Sequence, residues 1–204
     1  MWKSALLIIF VWAVAECCIY RDNECAPYTV DETHPDYEIR SYPALTWVTT
    51  IEESLSNRIS QYNAFMRLFG YISGKNERAL KINMTVPVRI KKTTEDSKVT
   101  IEMHFMVPSE LANDPPLPND EKIHILKEEP SKFAVRTFSG YVWRQATWVE
   151  EAEKLANSLS DDDTVDKTQY YEVGYDDPAT FFDRRNEVWM RKKNSEESND
   201  VLTV

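Results

Sequence analysis

Three histidines, three cysteines, a run of aspartates and one glutamate set among arginines are the residues of this 204-residue chain whose types could do chemistry. His34, His104 and His124 are its only imidazoles. His104 alternates with Met103 and Phe105, and His124 stands between Ile123 and Ile125, so both are expected to point to solvent if those segments are strands. His34 lies in a loop ahead of Pro35. Asp161-Asp162-Asp163 falls between a helix and a strand, where a solvated turn is expected rather than a metal site. Glu187, inside Arg184–Trp189, reads equally as a catalytic carboxylate and as a salt-bridged strand entrance. No Gly-x-Ser-x-Gly elbow, His-Glu-x-x-His motif or paired-cysteine motif occurs, so no enzyme is expected. Asn83-Met84-Thr85 is the only N-glycosylation sequon, and alternation with inward Ile82 and Met84 puts Asn83 on the outer side of a strand.

The cysteines belong to a separate part of the chain. Met1-Trp2-Lys3 is a short basic start, Ala5 to Val14 is an apolar run, and Ala13-Val14-Ala15 has the small-x-small pattern of a signal-peptidase site. The run is too short for a membrane span, which takes ~20 apolar residues. Residues 1–15 are therefore read as a cleaved secretory signal, with an uncleaved anchor as the alternative, and the protein as secreted. Residues 16–36 form a cysteine-containing extension. In an oxidising compartment Cys25 can pair with Cys17 or Cys18, leaving one thiol over, which keeps a disulfide-linked dimer or another homo-oligomer open.

Elements must position whatever site the body carries. A formal charge of −10 with 24 basic against 34 acidic residues disfavours nucleic acid and anionic membranes, and only four glycines leave little for a phosphate loop. Tyr37 to Tyr42 is matched by Phe133 to Phe138 at an offset of 96, with Trp47 and Trp143 at the same distance beyond. Each copy reads as a strand that runs into an amphipathic helix, over 54–72 and 146–160, and further strands follow: alternation over Ile82–Val88 and Val99–Val107, then Tyr170–Tyr175 and Glu187–Met190. Pro115, Pro116 and Pro118 keep 108–120 out of helix. The plan is α+β, two pseudo-symmetric ββαββ-like halves (37–107 and 121–190) closing into a distorted β-barrel with two flanking helices, followed by a disordered tail over 192–204.

The helices differ. The second has one narrow stripe, Trp148, Ala152, Leu155 and Leu159, enough to dock on a sheet. The first has the like stripe Leu55, Ile59, Tyr62, Met66 and Phe69, and beside it Phe65, Leu68 and Ile72. Its apolar arc spans roughly 180° where ~100° covers a core. Phe65, Leu68 and Ile72 are thus the expected surplus, to be met by a covering loop, a hydrophobic ligand or a partner.

Five ordered blocks resemble the SOUL heme-binding family: Tyr37-Glu-Ile-Arg40 with Tyr42 and Trp47; Gly74-x-Asn76-Glu77 with Lys81-Ile82-x-Met84-Thr85-x-Pro87-Val88; Asp114-Pro-Pro-x-Pro118; Gly174-Tyr175-Asp176-x-Pro178; and Arg184-Arg-Asn-Glu-Val-Trp189. The resemblance covers 37–190. It implies the barrel with internal pseudo-twofold symmetry, a fold similar to the effector-binding domains of bacterial multidrug regulators. It also implies non-covalent binding of heme or free porphyrin against the first helix, which assigns Tyr62, Phe65, Leu68, Phe69 and Ile72 to the ring and Arg58 or Arg67 to the propionates. Some members have a histidine proposed as axial ligand directly after the first motif; Ser41 stands there in this chain and cannot serve. His34 is then the remaining candidate, and capture of the ring without a histidine ligand is the preferred expectation. Another bulky amphipathic or cationic ligand, or a protein surface on the same helix, is the alternative.

Overall fold

The structure, a computed structural model, describes residues 18–193; the apolar run, Cys17 and the end of the tail lie outside the described residues. Its strands are β1 (Cys18–Tyr20), β2 (Asn23–Cys25), β3 (Thr29–Thr33), β4 (Glu38–Tyr42), β5 (Leu45–Ser54), β6 (Thr85–Val86), β7 (Val88–Glu95), β8 (Lys98–Met106), β9 (Ile123–Glu128), β10 (Ser131–Ser139), β11 (Tyr171–Gly174) and β12 (Arg185–Arg191). Its helices are α1 (Asn57–Ile72) and α2 (Gln145–Ser158), each within three residues of the periodicity at both ends. Nine strands form one antiparallel sheet in the order β3-β4-β10-β12-β11-β7-β8-β5-β9, and β1-β2-β6 form a small second sheet.

The order is symmetric about the β7–β11 pair. Read outward from that pair it equates β7 with β11, β8 with β12, β5 with β10 and β9 with β4, leaving β3 as an extra edge strand, and α1 packs on β5 and β8 as α2 packs on β10 and β12. The two ββαββ halves therefore exist, but the match at offset 96 joins strands of different rank. It aligns β4 with β10, and these pair directly with each other, Ile39 opposite Ala134 and Arg40 opposite Phe133. The aligned residues do not share a setting: Ile39 packs in the α2 core but its match Val135 in the inner core, and Tyr42 in the inner core but its match Phe138 under α2. Trp47 is fully buried on β5, whereas Trp143 is exposed ahead of α2, so the tryptophans are not equivalent either.

Side chains along the strands alternate between two cores. Trp47, Phe133, Val135, Val173 and Trp189 fill the inner face of the curved sheet. Val48, Ile101, Met103 and Phe105 turn outward under α1, while Ala134, Val188 and Met190 turn outward under α2. Both faces are thus dry, which is why His104 is buried rather than solvent-facing: opposite Met103 and Phe105 lies the inner core, not water. Its ring meets Trp47 and Tyr171 edge-on. Burial, helped by Arg89 and Lys91, holds its pKa well below the ordinary histidine value. His124, in contrast, is exposed on β9.

Cys18 is joined to Cys25 across the β1–β2 hairpin. Asn83 is exposed, but in the irregular 79–84 segment rather than inside a strand. Only Thr85–Val86 and the residues after Pro87 find ladder partners; Ile82 still buries, its N–H donating to the Ile72 carbonyl at 2.8 Å. Asp162 pairs with Lys192 at 3.1 Å and accepts from the Thr164 N–H, so the aspartate run is a capped turn. Among the described residues no three His, Cys, Asp or Glu side chains converge as a metal site.

Candidate functional site

The helix α1 presents to the sheet the stripe Ser60, Ala64, Leu68, Tyr71 and Ile72. Ser60 and Ala64 are small enough to let the helix axis approach β5 and β8, and the Ser60 hydroxyl bonds that of Ser54 at 2.7 Å. This reverses the expected orientation. Leu68 and Ile72, assigned to the ligand, are core residues, and Phe65 is half-buried, edge-on to Phe105 at 5.4 Å. The stripe expected to dock is the one left outside: Leu55, Ile59, Tyr62, Met66 and Phe69 are 42–79% exposed. The apolar arc is as wide as the sequence indicated; its assignment to inside and outside is exchanged.

The C-terminal end of α1 is built from the second sequence block. Gly74, at φ +108°, ends the helix in a conformation that disfavours a side chain. Asn76 is buried and donates to the carbonyls of Tyr71 at 3.0 Å and Leu80 at 2.8 Å. The Tyr71 hydroxyl donates to the Pro116 carbonyl at 2.8 Å, and the Glu77 N–H to that of Leu117 at 2.9 Å, which ties the proline loop to the helix. Between them opens a cleft of about 270 Å³ lined by Met66, Arg67, Gly70, Lys75, Asn119 and Asp120 among others. It is continuous with the exposed stripe through Met66.

The electrostatics of this face rest on three cations. Arg67, one of the two expected propionate partners, is already engaged by Glu52, by Asp120 at 3.2 Å and by the Thr50 hydroxyl at 3.1 Å. Arg58 is exposed at the other end of the helix. Lys75, which the periodicity did not single out, lays its methylenes against the helix at Gly70, within 3.2 Å of where a β-carbon would stand there. No carboxylate of the described residues pairs with it or with Arg58. The signal for Lys75 was in the sequence only as a glycine one helical turn before the break, and nothing local says which side chain covers that glycine.

No histidine shares this face. His34 stacks on Tyr37 and contacts Glu32 at 3.1 Å at the β3 end of the sheet, and His124 projects from the side of β9 opposite Ile123, which packs in the α1 core. Ser41 donates to Asp31 at 2.7 Å. On the exposed stripe the only atoms suited to iron are the Tyr62 oxygen and the Met66 sulfur.

Glu187 is a structural centre. It is fully buried and accepts from Arg40 at 3.0 Å, Arg185 at 2.6 Å, Tyr175 at 3.0 Å and the Trp189 indole at 2.7 Å. Of the two readings of the Arg184–Trp189 block, the ion-paired strand entrance is the one the structure shows.

A curved antiparallel sheet of two equivalent halves, with one helix keeping an uncovered apolar stripe, is the architecture of a small α+β domain. The chain belongs to the SOUL heme-binding protein family, whose profile matches residues 23–191. It is similar to Heme-binding protein 2 of Mus musculus, 36% identical over 173 residues, 83% of this chain and 84% of the relative. The Homo sapiens Heme-binding protein 2 is 35% identical with the same coverage, and Heme-binding protein 1 of Xenopus tropicalis is 32% identical over 78% of this chain and 84% of its own. Among solved structures, a hydrolase from Listeria innocua aligns with a TM-score of 0.51 at 12% identity, covering 80% of this chain and 94% of that one, a likeness of fold alone.

Proposed function

We propose that this protein is a non-enzymatic binder of heme or free porphyrin, holding the macrocycle non-covalently on the exposed stripe of α1. The observation that carries the reading is the uncovered run of Leu55, Ile59, Tyr62, Met66 and Phe69 on an otherwise well-packed helix. The name of the family and those of its heme-binding relatives support the ligand class. Burying ~300 Å² of ring at ~25 cal/mol/Å² gives roughly 7 kcal/mol before association costs, so burial of the facing stripe and a propionate contact must offset those costs for micromolar binding without an iron bond. Lys75 and Arg58, both without carboxylate partners, stand at opposite ends of the stripe, ~25 Å of helix apart, so one of the two can meet the propionates, which share one edge of the ring.

The test is a Soret-band titration of the protein with hemin and, by fluorescence, with metal-free protoporphyrin IX. Ring capture predicts saturable 1:1 binding of both, with affinities within about threefold, because the apolar term does not involve iron. Binding of hemin alone would show that iron ligation carries the affinity. No binding of either up to on the order of 50 μM would transfer the stripe to another amphipathic ligand or a protein partner.

Secretion through residues 1–15 is part of the same proposal, and it exposes the sequon to glycosyl transfer. Asn83 stands outward on an irregular segment, the kind of backbone the transferase accepts. A secreted product heavier than its polypeptide, and shifted back by glycosidase, is the expected result; a bare mass would reject it.

A further inference from the structure

The two most exposed large aromatic residues, with a third beside them, are not on α1 but on two loops of the second half. Trp143 is 74% exposed, Phe181 63% and Phe182 83%. Trp143 lies between β10 and α2, and the phenylalanines lie between β11 and β12. Tyr141 joins the loops: its ring stacks on Trp143 at 4.1 Å and on Phe181 at 6.1 Å, with the Arg184 guanidinium 4.6 Å from its centroid.

The fold does not need this loop. The equivalent connection in the first half, β7 to β8, is the two-residue turn Asp96-Ser97, both at positive φ. Its counterpart runs from Tyr175 to Arg184 and is held by guanidinium groups on its carbonyls. Arg184 donates to those of Asp176, Asp177 and Thr180 at 2.6–3.0 Å, and Arg21 donates to that of Asp183 at 2.8 Å. The backbone is fixed from within while its two phenyl rings are turned to water, an arrangement that costs solvation free energy and needs an apolar counterpart.

The kind of counterpart follows from what surrounds the rings. Trp and Tyr beside Phe at a loop tip, with cationic groups at their base, is the composition that settles at the boundary between lipid headgroups and acyl chains. Arg144 adjoins Trp143, exposed and without a carboxylate partner among the described residues. Asp177 and Asp183 are exposed on the same loop, and the chain carries −10 overall, so an anionic surface is disfavoured and an uncharged one is not. The N-terminal hairpin is docked at this end through Arg21. We propose that the end of the molecule bearing Trp143, Phe181 and Phe182 docks on the interface of a zwitterionic phospholipid bilayer.

The mature chain, residues 16–204, which lacks Trp2 and Trp12 of the apolar run, is tested by flotation with phosphatidylcholine vesicles and by quenching of its tryptophan fluorescence with phosphatidylcholine brominated on the acyl chains. Docking predicts co-flotation, quenching that largely disappears in Trp143→Phe, and a partition coefficient about tenfold lower in Phe181→Ser/Phe182→Ser. Replacing a third of the lipid by phosphatidylserine is expected to weaken binding. All three side chains are exposed, so the variants are expected to keep the wild-type circular dichroism, which is recorded alongside. No flotation would overturn the proposal. So would quenching unchanged in Trp143→Phe, because another part of the chain would then be what meets the lipid. A wild-type dimer that Phe181→Ser/Phe182→Ser converts to monomer, with no flotation, would assign the surface to a second copy instead.

Discussion

Replacing Tyr62 and Phe69 together by aspartate is expected to weaken porphyrin binding by at least about thirtyfold while leaving the unfolding midpoint nearly unchanged. Both rings are exposed, so neither contributes much to the core. Each offers roughly 1–1.5 kcal/mol of apolar contact to a ring lying on the helix, and a tenfold change in affinity corresponds to ~1.4 kcal/mol. Carboxylates in their place also repel the propionates. Leu68→Ala is the opposite case: fully buried under the helix, it is expected to cost about 2–5 kcal/mol of stability. Its effect on affinity, measured at a temperature where the variant is folded, should be small. Equal losses of affinity in the two variants would mean that the ligand enters between helix and sheet rather than lying on the outer stripe.

Removing the carboxylate of Glu187 is expected to have the largest effect on stability, about 3–5 kcal/mol for Glu187→Ala, because it leaves Arg40 buried without its inner partner. The centre also sets a pH dependence. Burial pushes the Glu187 carboxyl upward, but the Arg40 and Arg185 guanidinium groups and the Trp189 N–H outweigh it and hold its pKa below the ordinary 4.5. A depressed carboxylate contributes stability that is present above the unfolded-state pKa and lost as pH falls through the folded one. His104 acts over a higher range. Its folded pKa lies well below 6.5, so the unfolded chain takes up a proton first, and stability declines as pH drops below about 6.5. The slope for one such proton is ~1.4 kcal/mol per pH unit. Denaturant midpoints of the wild type should therefore fall from pH 6.5 downward and again below 4.5. His104→Leu should flatten the upper limb, and Glu187→Gln the lower. The raised pKa of buried Glu172 adds an opposite slope, so the test is the difference between variants: a His104→Leu midpoint with the same slope as wild type from pH 7 to 5 would mean that His104 is not sealed in the inner core.

The ion centre and the helix stripe show what kind of information each level carries. By itself the sequence determined the elements, because side-chain periodicity is a local property. The apolar spacing from Leu55 to Ile72 sets a helix whatever lies beside it, Ala152, Leu155 and Leu159 set a second, and Gly74 and the proline run mark where the chain must turn. It also determined that the first helix has more apolar surface than one sheet can cover, and its ordered blocks placed the chain in its family. Periodicity gives angles between side chains on one element but no direction toward a neighbour. Only the tertiary structure decided that Ser60 and Ala64 face the sheet, since close approach of a helix favours small residues over the larger stripe of Ile59, Tyr62 and Met66. Burial of His104 was hidden for a related reason: one strand's alternation cannot tell an outer face from the inner wall of a sheet curved over its own core. Which of two adjacent cysteines meets Cys25, and which lysine covers Gly70, are likewise set by partners distant from the local pattern. The true correspondence of the two halves was legible only from strand order, because apolar alternation is common to every strand buried on both faces, β4 and β10 included, while equivalent strands like β4 and β9 need share only their place in the sheet.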